Sequence, residues 1–287
     1  MQNVIVLGAS GFIGGRIYTT LKKKYNVIGT RHKSDNKEFD IVDVTDQQAL
    51  KGYLAGNPVD LIINATGEKD VGLCERDCKS ALMINTRTVI SLTGIINKIN
   101  PDCKIIHIST DYVFSGTNGP YRNTSIPAPT TIYGITKYLA ELALAQSSCN
   151  YTTIRTGAVM GKGGTFFDWI INNLIEEDAI RLYNNKFFTP TPLQLLADMV
   201  EYVVLHQDAL NRTTVNVSGG ERMTRYTFGL LLRDMIPGAK AQVLPEPLTD
   251  NRIPHDLSLV PSVSDKSKKF IEYLTYEVDN AVHTQLF

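Results

Sequence analysis

Residues 3–15, NVIVLGASGFIGG, constrain this chain more than any other stretch. The apolar run 4–7 is too short for a helix and suits a strand buried on both faces. Glycines follow at Gly8, Gly11 and Gly14, and a helical pattern continues through Ile17, Leu21 and the lysines 22–24. In a strand–turn–helix of this kind Gly8 allows the tight turn and Gly11 lets backbone approach a pyrophosphate. Gly14 lets the helix pack close to the strand, and the helix N-terminus offers free N–H groups with a partial positive charge. The flanking strand and helix turn a weak glycine pattern into a reading of dinucleotide binding, with Gly8, Ser10, Gly11, Phe12, Ile13 and Gly14 as candidate contacts.

Residues 26–30 read as the second strand, with Arg31-His32-Lys33 just beyond it. An acid at this place serves the ribose hydroxyls of NAD(H), whereas an arginine suits the extra phosphate of NADP(H). Arg31 therefore favours NADP(H) over NAD(H), and the next acid, Asp35, comes late; a solvated basic loop is the plain alternative. Further on, Asp43 is placed to accept from an adenine amino group, with Val44 beside it, and Thr45 or Asp46 to cap a helix starting near Gln47. A third strand, 59–63, ends in Asn64-Ala65-Thr66-Gly67, and such small residues suit a cofactor crossing the sheet edge.

Residues 81–99 read as one long helix with Leu82, Ile84, Val89, Leu92, Ile95 and Ile96 on its buried side. Asn85 within it reads as a buried polar tie. A fourth strand, 104–108, runs into Ser109-Thr110-Asp111-Tyr112-Val113-Phe114. A loop rich in glycine and proline then leads to Tyr133-Gly134-Ile135-Thr136-Lys137, which opens a helix burying Leu139, Leu142 and Ala143. Tyr133 and Lys137 are four apart, so a helix puts them on one face within reach of a common ligand.

Alternating strands and helices argue for an α/β fold, a Rossmann-type doubly wound parallel sheet over residues 1–156. Past the strand 151–156 the alternation fades. Residues 157–287 are expected to form a smaller C-terminal α/β lobe that binds substrate at the sheet's C-terminal edge, with a segment near 213–218 returning to the large sheet. Lys162, Trp169, Lys186, Phe187 and Arg252 are its basic and aromatic candidates.

With Lys+Arg 29 against Asp+Glu 29, nothing favours a nucleic-acid partner. No apolar run approaches the roughly 20 residues of a membrane span, and the chain enters a strand with no leader pattern, so a cytoplasmic location is expected. Four cysteines are too few for a disulfide scaffold. Cys74 and Cys78 lie four apart without a histidine or third cysteine to complete a metal site, so buried thiols are expected.

The runs Gly8-Ala9-Ser10-Gly11-Phe12-Ile13-Gly14, Asn64-Ala65, Ser109-Thr110-Asp111-Tyr112-Val113-Phe114 and Tyr133-Gly134-Ile135-Thr136-Lys137 resemble the extended short-chain dehydrogenase/reductase family. Within it the chain is most similar to the branch of dTDP-4-dehydrorhamnose reductase and related sugar-nucleotide reductases. Arg155-Thr156, Pro190-Thr191 and the stretch 252–259 match later motifs of that branch, so the resemblance spans nearly the whole chain.

The resemblance implies an NADPH-dependent reductase of a 4-keto-6-deoxy sugar nucleotide, with Tyr133 as proton donor, Thr110 polarising the carbonyl and Lys137 favouring the phenolate. A ketone that accepts hydride needs such a donor and a steadied oxyanion. It also implies that Asn64, Ala65, Thr66, Ser109, Tyr133 and Lys137 touch the cofactor. Tyr112 stands where a 4,6-dehydratase carries glutamate, which disfavours elimination. The chain departs from the branch at Asn123, Ser125 and Gly157-Ala158, positions on the substrate side. Two alternatives stay open: a non-catalytic NADP-binding regulatory subunit resembling the methionine adenosyltransferase β subunit, and a sugar-nucleotide epimerase. The oligomeric state, a homodimer included, is also open.

Overall fold

Strand β1, Asn3–Leu7, begins the fold, and its Val4, Ile5, Val6 and Leu7 are at most 1% exposed. Burial of each such side chain contributes roughly 1.5–3 kcal/mol, which explains a continuous apolar run rather than an alternating one. The computed structural model describes residues 2–33, 37–263 and 269–282. Asp35 lies outside the described residues.

Helix α1 (Phe12–Leu21), β2 (Asn26–Arg31), the short β3 (Asp40–Ile41) and α2 (Gln47–Gly56) come next. Asp46 is the α2 cap, accepting from the amides of Gln48 at 2.8 Å and Ala49 at 3.1 Å. Then come β4 (Leu61–Asn64), α3 (Val71–Arg76), α4 (Cys78–Leu82), a π-helical turn at Met83–Arg87, and α5 (Thr88–Ile99). The helix expected over 81–99 is thus interrupted by a wider turn. That turn lets consecutive side chains reach one residue of a neighbouring helix: Asn85 donates to Thr136 Oγ1 at 3.0 Å, and Thr86 donates to the Thr136 carbonyl at 2.7 Å. Strand β5 (Lys104–Thr110), α6 (Ile132–Gln146) and β6 (Asn150–Thr156) follow.

Beyond lie β7 (Val159–Met160), α7 (Thr165–Glu176), β8 (Ala179–Tyr183), β9 (Phe187–Phe188), β10 (Thr191–Pro192), α8 (Leu193–Leu205) and β11 (Thr213–Val217). The last elements are β12 (Met223–Thr224), α9 (Arg225–Met235), β13 (Gln242–Glu246) and α10 (Phe270–Val282).

Seven strands form one sheet in the order β11-β6-β5-β4-β1-β2-β3. The pairs β1/β2, β1/β4, β4/β5 and β2/β3 are parallel. The order reverses between β1 and β4, which pair through to Leu7 and Asn64, so the connections leaving their carboxyl ends go to opposite sides, the usual ligand position in an open α/β sheet.

The chain divides into two units, each discontinuous in sequence. One comprises Met1–Phe114, Pro127–Arg155 and Val200–Val215, and the other Ser115–Ile126, Thr156–Met199 and Asn216–Phe287. In the first, Ile5, Leu7, Ile62 and Ile105 of the sheet pack with Leu92, Ile96, Ala140 and Leu144 of the helices. In the second, Phe167, Ile170, Ile171 and Leu174 recur at helical spacing on α7 and pack with Phe228, Leu232, Leu274 and Val278.

Some expected core positions differ. Leu139 on α6 is 39% exposed and Leu82 on α4 is 38% exposed. Leu142 and Ala143 are only half-buried, because α6 turns the small Ala140 and the larger Leu144 toward the sheet instead. Among the cysteines, Cys78 is exposed, while Cys74, Cys103 and Cys149 are buried free thiols.

Candidate active site

The glycine turn is tight because Gly8 has φ +84° and Gly11 N–H returns to the Gly8 carbonyl at 3.0 Å. A Cβ on Gly14 would stand 2.2 Å from the Gly8 oxygen, so a larger residue there would push α1 off the turn. Among the described residues no side chain caps α1 at Gly11, and the first amides of a helix have no partner within it. They are donors available to an anion, so these residues fit a dinucleotide diphosphate. Lys69 adds positive charge nearby, its Nζ lying 5.7 Å from the centre of the Phe12 ring.

Arg31 ends β2, and its Nε donates to the Phe39 carbonyl at 3.0 Å, which ties the guanidinium to the strand's neighbouring loop. Asp43 accepts from the Thr45 amide at 2.9 Å and hydroxyl at 2.7 Å, and its other oxygen lies 3.5 Å from His32 Nε2. The Thr45 hydrogen bonds hold the Asp43 carboxyl below its usual range. Val44 is half-buried beside it. At the end of β4, Ala65 and Thr66 lie against Gly8: a Cβ there would meet Thr66 Cγ2 at 3.1 Å and the Ala65 carbonyl at 3.3 Å. Asn64 is 1% exposed, and its amide is engaged inside the protein with Thr66 and His107.

At the end of β5 the Thr110 hydroxyl donates to Asp111 Oδ1 at 2.9 Å and accepts from the Tyr112 amide at 3.2 Å. It also acts on the Tyr133 phenol. The Tyr133 ring meets Tyr112 edge-on, centroids 5.5 Å apart. Thr131 caps α6 through the Gly134 amide at 3.1 Å, and Glu75 accepts from the Ile132 amide at 2.8 Å, so the turn that carries Tyr133 is fixed from two sides. Burial pushes the Tyr133 phenol well above the ordinary tyrosine range, while the Thr110 hydroxyl opposes this.

Lys137 is 4% exposed, and its Nζ donates to the Ile108 carbonyl at 2.6 Å. Burial lowers its pKa to about 8, with the Glu141 carboxylate opposing. Ser109 is not joined to the Thr110–Tyr133 pair; its hydroxyl donates to Glu141 Oε1 at 2.6 Å. Glu141 is also paired with Arg155, whose NH2 is 2.7 Å from Oε2. Asn85 is the tie read from sequence, joining the Glu68 amide to Thr136.

Sequence reasoning passed over His107 and Glu141. The one available signal for His107 was a lone histidine inside the apolar strand KIIHIST.

In the second unit, Arg222 pairs with Asp256 at 2.8 Å and lies 3.6 Å from the centre of the Phe187 ring. Trp169 is 43% exposed, and Arg252 pairs with Asp250 at 2.8 Å. Ser125 accepts from the Arg122 amide and closes a turn beside Asn123, while Ala158 accepts from the Thr191 amide between β7 and β10. Among the described residues no cluster of histidine, cysteine and acidic side chains could hold a metal ion, and no helix is long and apolar enough to cross a membrane.

The family model described as RmlD substrate binding domain matches residues 1–260. The chain belongs to that family. It is 28% identical over 217 residues to the dTDP-4-dehydrorhamnose reductase of Escherichia coli K12, covering 75% of this chain and 70% of that protein. The crystal structure of a hypothetical dTDP-4-dehydrorhamnose reductase from Sulfolobus tokodaii superposes with a TM-score of 0.81 at 28% identity, over 91% of this chain and 93% of that one. The chain is also similar to methionine adenosyltransferase 2 subunit beta of Xenopus laevis, 23% identical over 88% of this chain and 77% of that protein.

Proposed function

We propose that the protein is an NADPH-dependent reductase of a 4-keto-6-deoxy sugar nucleotide. The observation that carries this reading is the buried Tyr133 phenol acted on by Thr110 and set one helical turn from the buried Lys137. The uncapped helix N-terminus after Gly8 and Gly11, with Ser10, Phe12, Ile13 and Gly14, holds the diphosphate, and Arg31 the phosphate that distinguishes NADP(H). Bound NADPH supplies the hydride. The Thr110 hydroxyl turns its one proton from Asp111 to the substrate carbonyl, and Tyr133 gives its proton to the oxygen as negative charge grows there. While it still carries its proton, Lys137 steadies the phenolate left behind. In the free chain Asp111 accepts the Thr110 proton.

The test is oxidation of NADPH by the purified protein with a panel of thymidine-, uridine- and guanosine-diphosphate 4-keto-6-deoxy sugars. Turnover on one or more, lost in Tyr133→Phe, supports the reading. A well-folded protein that binds NADPH and turns over none of them overturns it.

A second reading is favoured by the extent of the similarity to the methionine adenosyltransferase subunit: an NADP-binding regulatory chain. Size-exclusion chromatography with a purified methionine adenosyltransferase catalytic subunit separates the two. Stoichiometric co-elution without keto-sugar reduction supports regulation, and separate elution removes it.

A further inference from the structure

We propose that Asn64 and His107 are a positioning pair that keeps Lys137 poised to lose its proton near neutral pH. The inference deepens the proposed function, since it rests on Lys137 being the partner of Tyr133.

Donors and acceptors meet along a buried row from Thr66 through Asn64 and His107 to Lys137. The Thr66 amide can only donate, and it faces Asn64 Oδ1 at 3.2 Å, with the Thr66 hydroxyl on the same oxygen at 2.6 Å. This fixes the Asn64 amide, so that Nδ2, which has hydrogens and no lone pair, faces His107 Nδ1 at 3.2 Å. Nδ1 must therefore accept, and a neutral ring carries its proton on Nε2. The ring is neutral, because burial holds His107 well below its ordinary pKa and Nδ1 is already an acceptor. Nε2–H then points at Lys137 Nζ, 3.4 Å away.

An ammonium has three donors and no acceptor, whereas the free amine has a lone pair to receive that N–H. The opposite tautomer would suit the ammonium but set Nδ1–H against the Asn64 NH2. A protonated Lys137 thus leaves one donor–donor contact in the row, and an unprotonated one leaves none. The Ile108 carbonyl accepts from Nζ in either state. Asn64, His107 and Lys137 are 1%, 1% and 4% exposed, so bulk water does not relieve the conflict.

Other groups bear on Lys137. Glu141, one turn further along α6, favours the ammonium, but Ser109 and Arg155 hold its carboxylate. Tyr133 lies one turn back, with Asp111 and Cys74 acting on its phenol. From the π-helical turn Asn85 reaches Thr136, a neutral contact.

The experiment uses the full chain without cofactor or substrate. Side-chain 15N NMR of labelled histidine reports the His107 tautomer, and 13C shifts of labelled lysine Cε follow the Lys137 titration, assigned by its loss in Lys137→Met. We expect Nε2–H at His107 and a Lys137 midpoint roughly two units below that of a free lysine. Asn64→Ala, which adds no charge, and Asn64→Asp, which accepts from Nδ1–H, both release the ring and raise the midpoint by about one unit. An Nδ1–H ring or an imidazolium in the unaltered protein, or a midpoint unmoved in both variants, overturns the proposal. Neither readout needs turnover, so failure here leaves the reductase reading standing, and failure of the keto-sugar assay leaves this one standing.

Discussion

Gly134 and Tyr112 approach so closely that a Cβ on the glycine would stand 2.1 Å from the tyrosine's carbonyl oxygen. The first turn of α6 is thereby seated on the backbone that follows Thr110, which sets the distance between the Tyr133 phenol and the Thr110 hydroxyl. Gly134→Ala should displace that turn. A shift of about 1 Å in a reacting group can cost on the order of 100-fold in rate. We expect kcat to fall by about that factor while NADPH affinity changes little, measured by steady-state kinetics and fluorescence titration.

Tyr133→Phe removes the proposed proton donor and keeps the ring against Tyr112. Loss of a positioned general acid typically costs about 10²–10⁴ in rate. We expect that loss in kcat with the thermal unfolding midpoint preserved, checked by pairing kinetics with calorimetry.

The lowered pKa of Lys137 has a signed effect on stability. The folded protein begins to lose this proton near pH 8, whereas the unfolded chain keeps it to about 10.4. Between those values the unfolded state binds more protons, so this group's contribution to stability rises with pH through that window and is smallest below it. The full difference is on the order of 3 kcal/mol. Urea unfolding at a series of pH values between 7.5 and about 10 should show a rising difference for wild type relative to Lys137→Met. A flat difference would remove the effect.

Arg155 and Glu141 form a buried, doubly hydrogen-bonded ion pair beneath the end of β5, with Arg155 also 5.1 Å from the centre of the Phe114 ring. Removing one partner strands the other's charge. Arg155→Met should cost about 3–5 kcal/mol, and the double variant with Glu141→Leu should recover much of it, as read by denaturant midpoints.

Arg31 is assigned to the extra phosphate of NADP(H). Arg31→Ala should raise KM for NADPH by about tenfold or more and leave NADH nearly unaffected, since only the former loses a charge-assisted contact. A parallel loss with both cofactors would instead reflect the broken tie to the Phe39 carbonyl.

The sheet was legible because its evidence is local. Short apolar runs such as 4–7 and 104–108 announce buried strands, and the glycine spacing announces the turn between β1 and α1. Thr110, Tyr133 and Lys137 were legible for the same reason, as a strand end and an i,i+4 pair. The other buried groups were not, because their meaning lies in partners far along the chain. His107 meets Asn64 across 43 residues, and Ser109 meets Glu141 across 32. The π-helical turn at Met83–Arg87 was hidden because its sequence keeps an ordinary helical period, and contact with Thr136 rather than local preference sustains it.

Strand β11 lies at one end of the seven-stranded sheet, next to β6, although it comes from Thr213–Val217. During synthesis β6 therefore leaves the ribosome with a bare hydrogen-bonding margin that waits for more than fifty further residues, from Thr156 to Thr213. A nascent chain halted in that interval offers other chains an unpaired strand, a known route to aggregation. For this protein the dangerous truncations are those ending between β6 and β11.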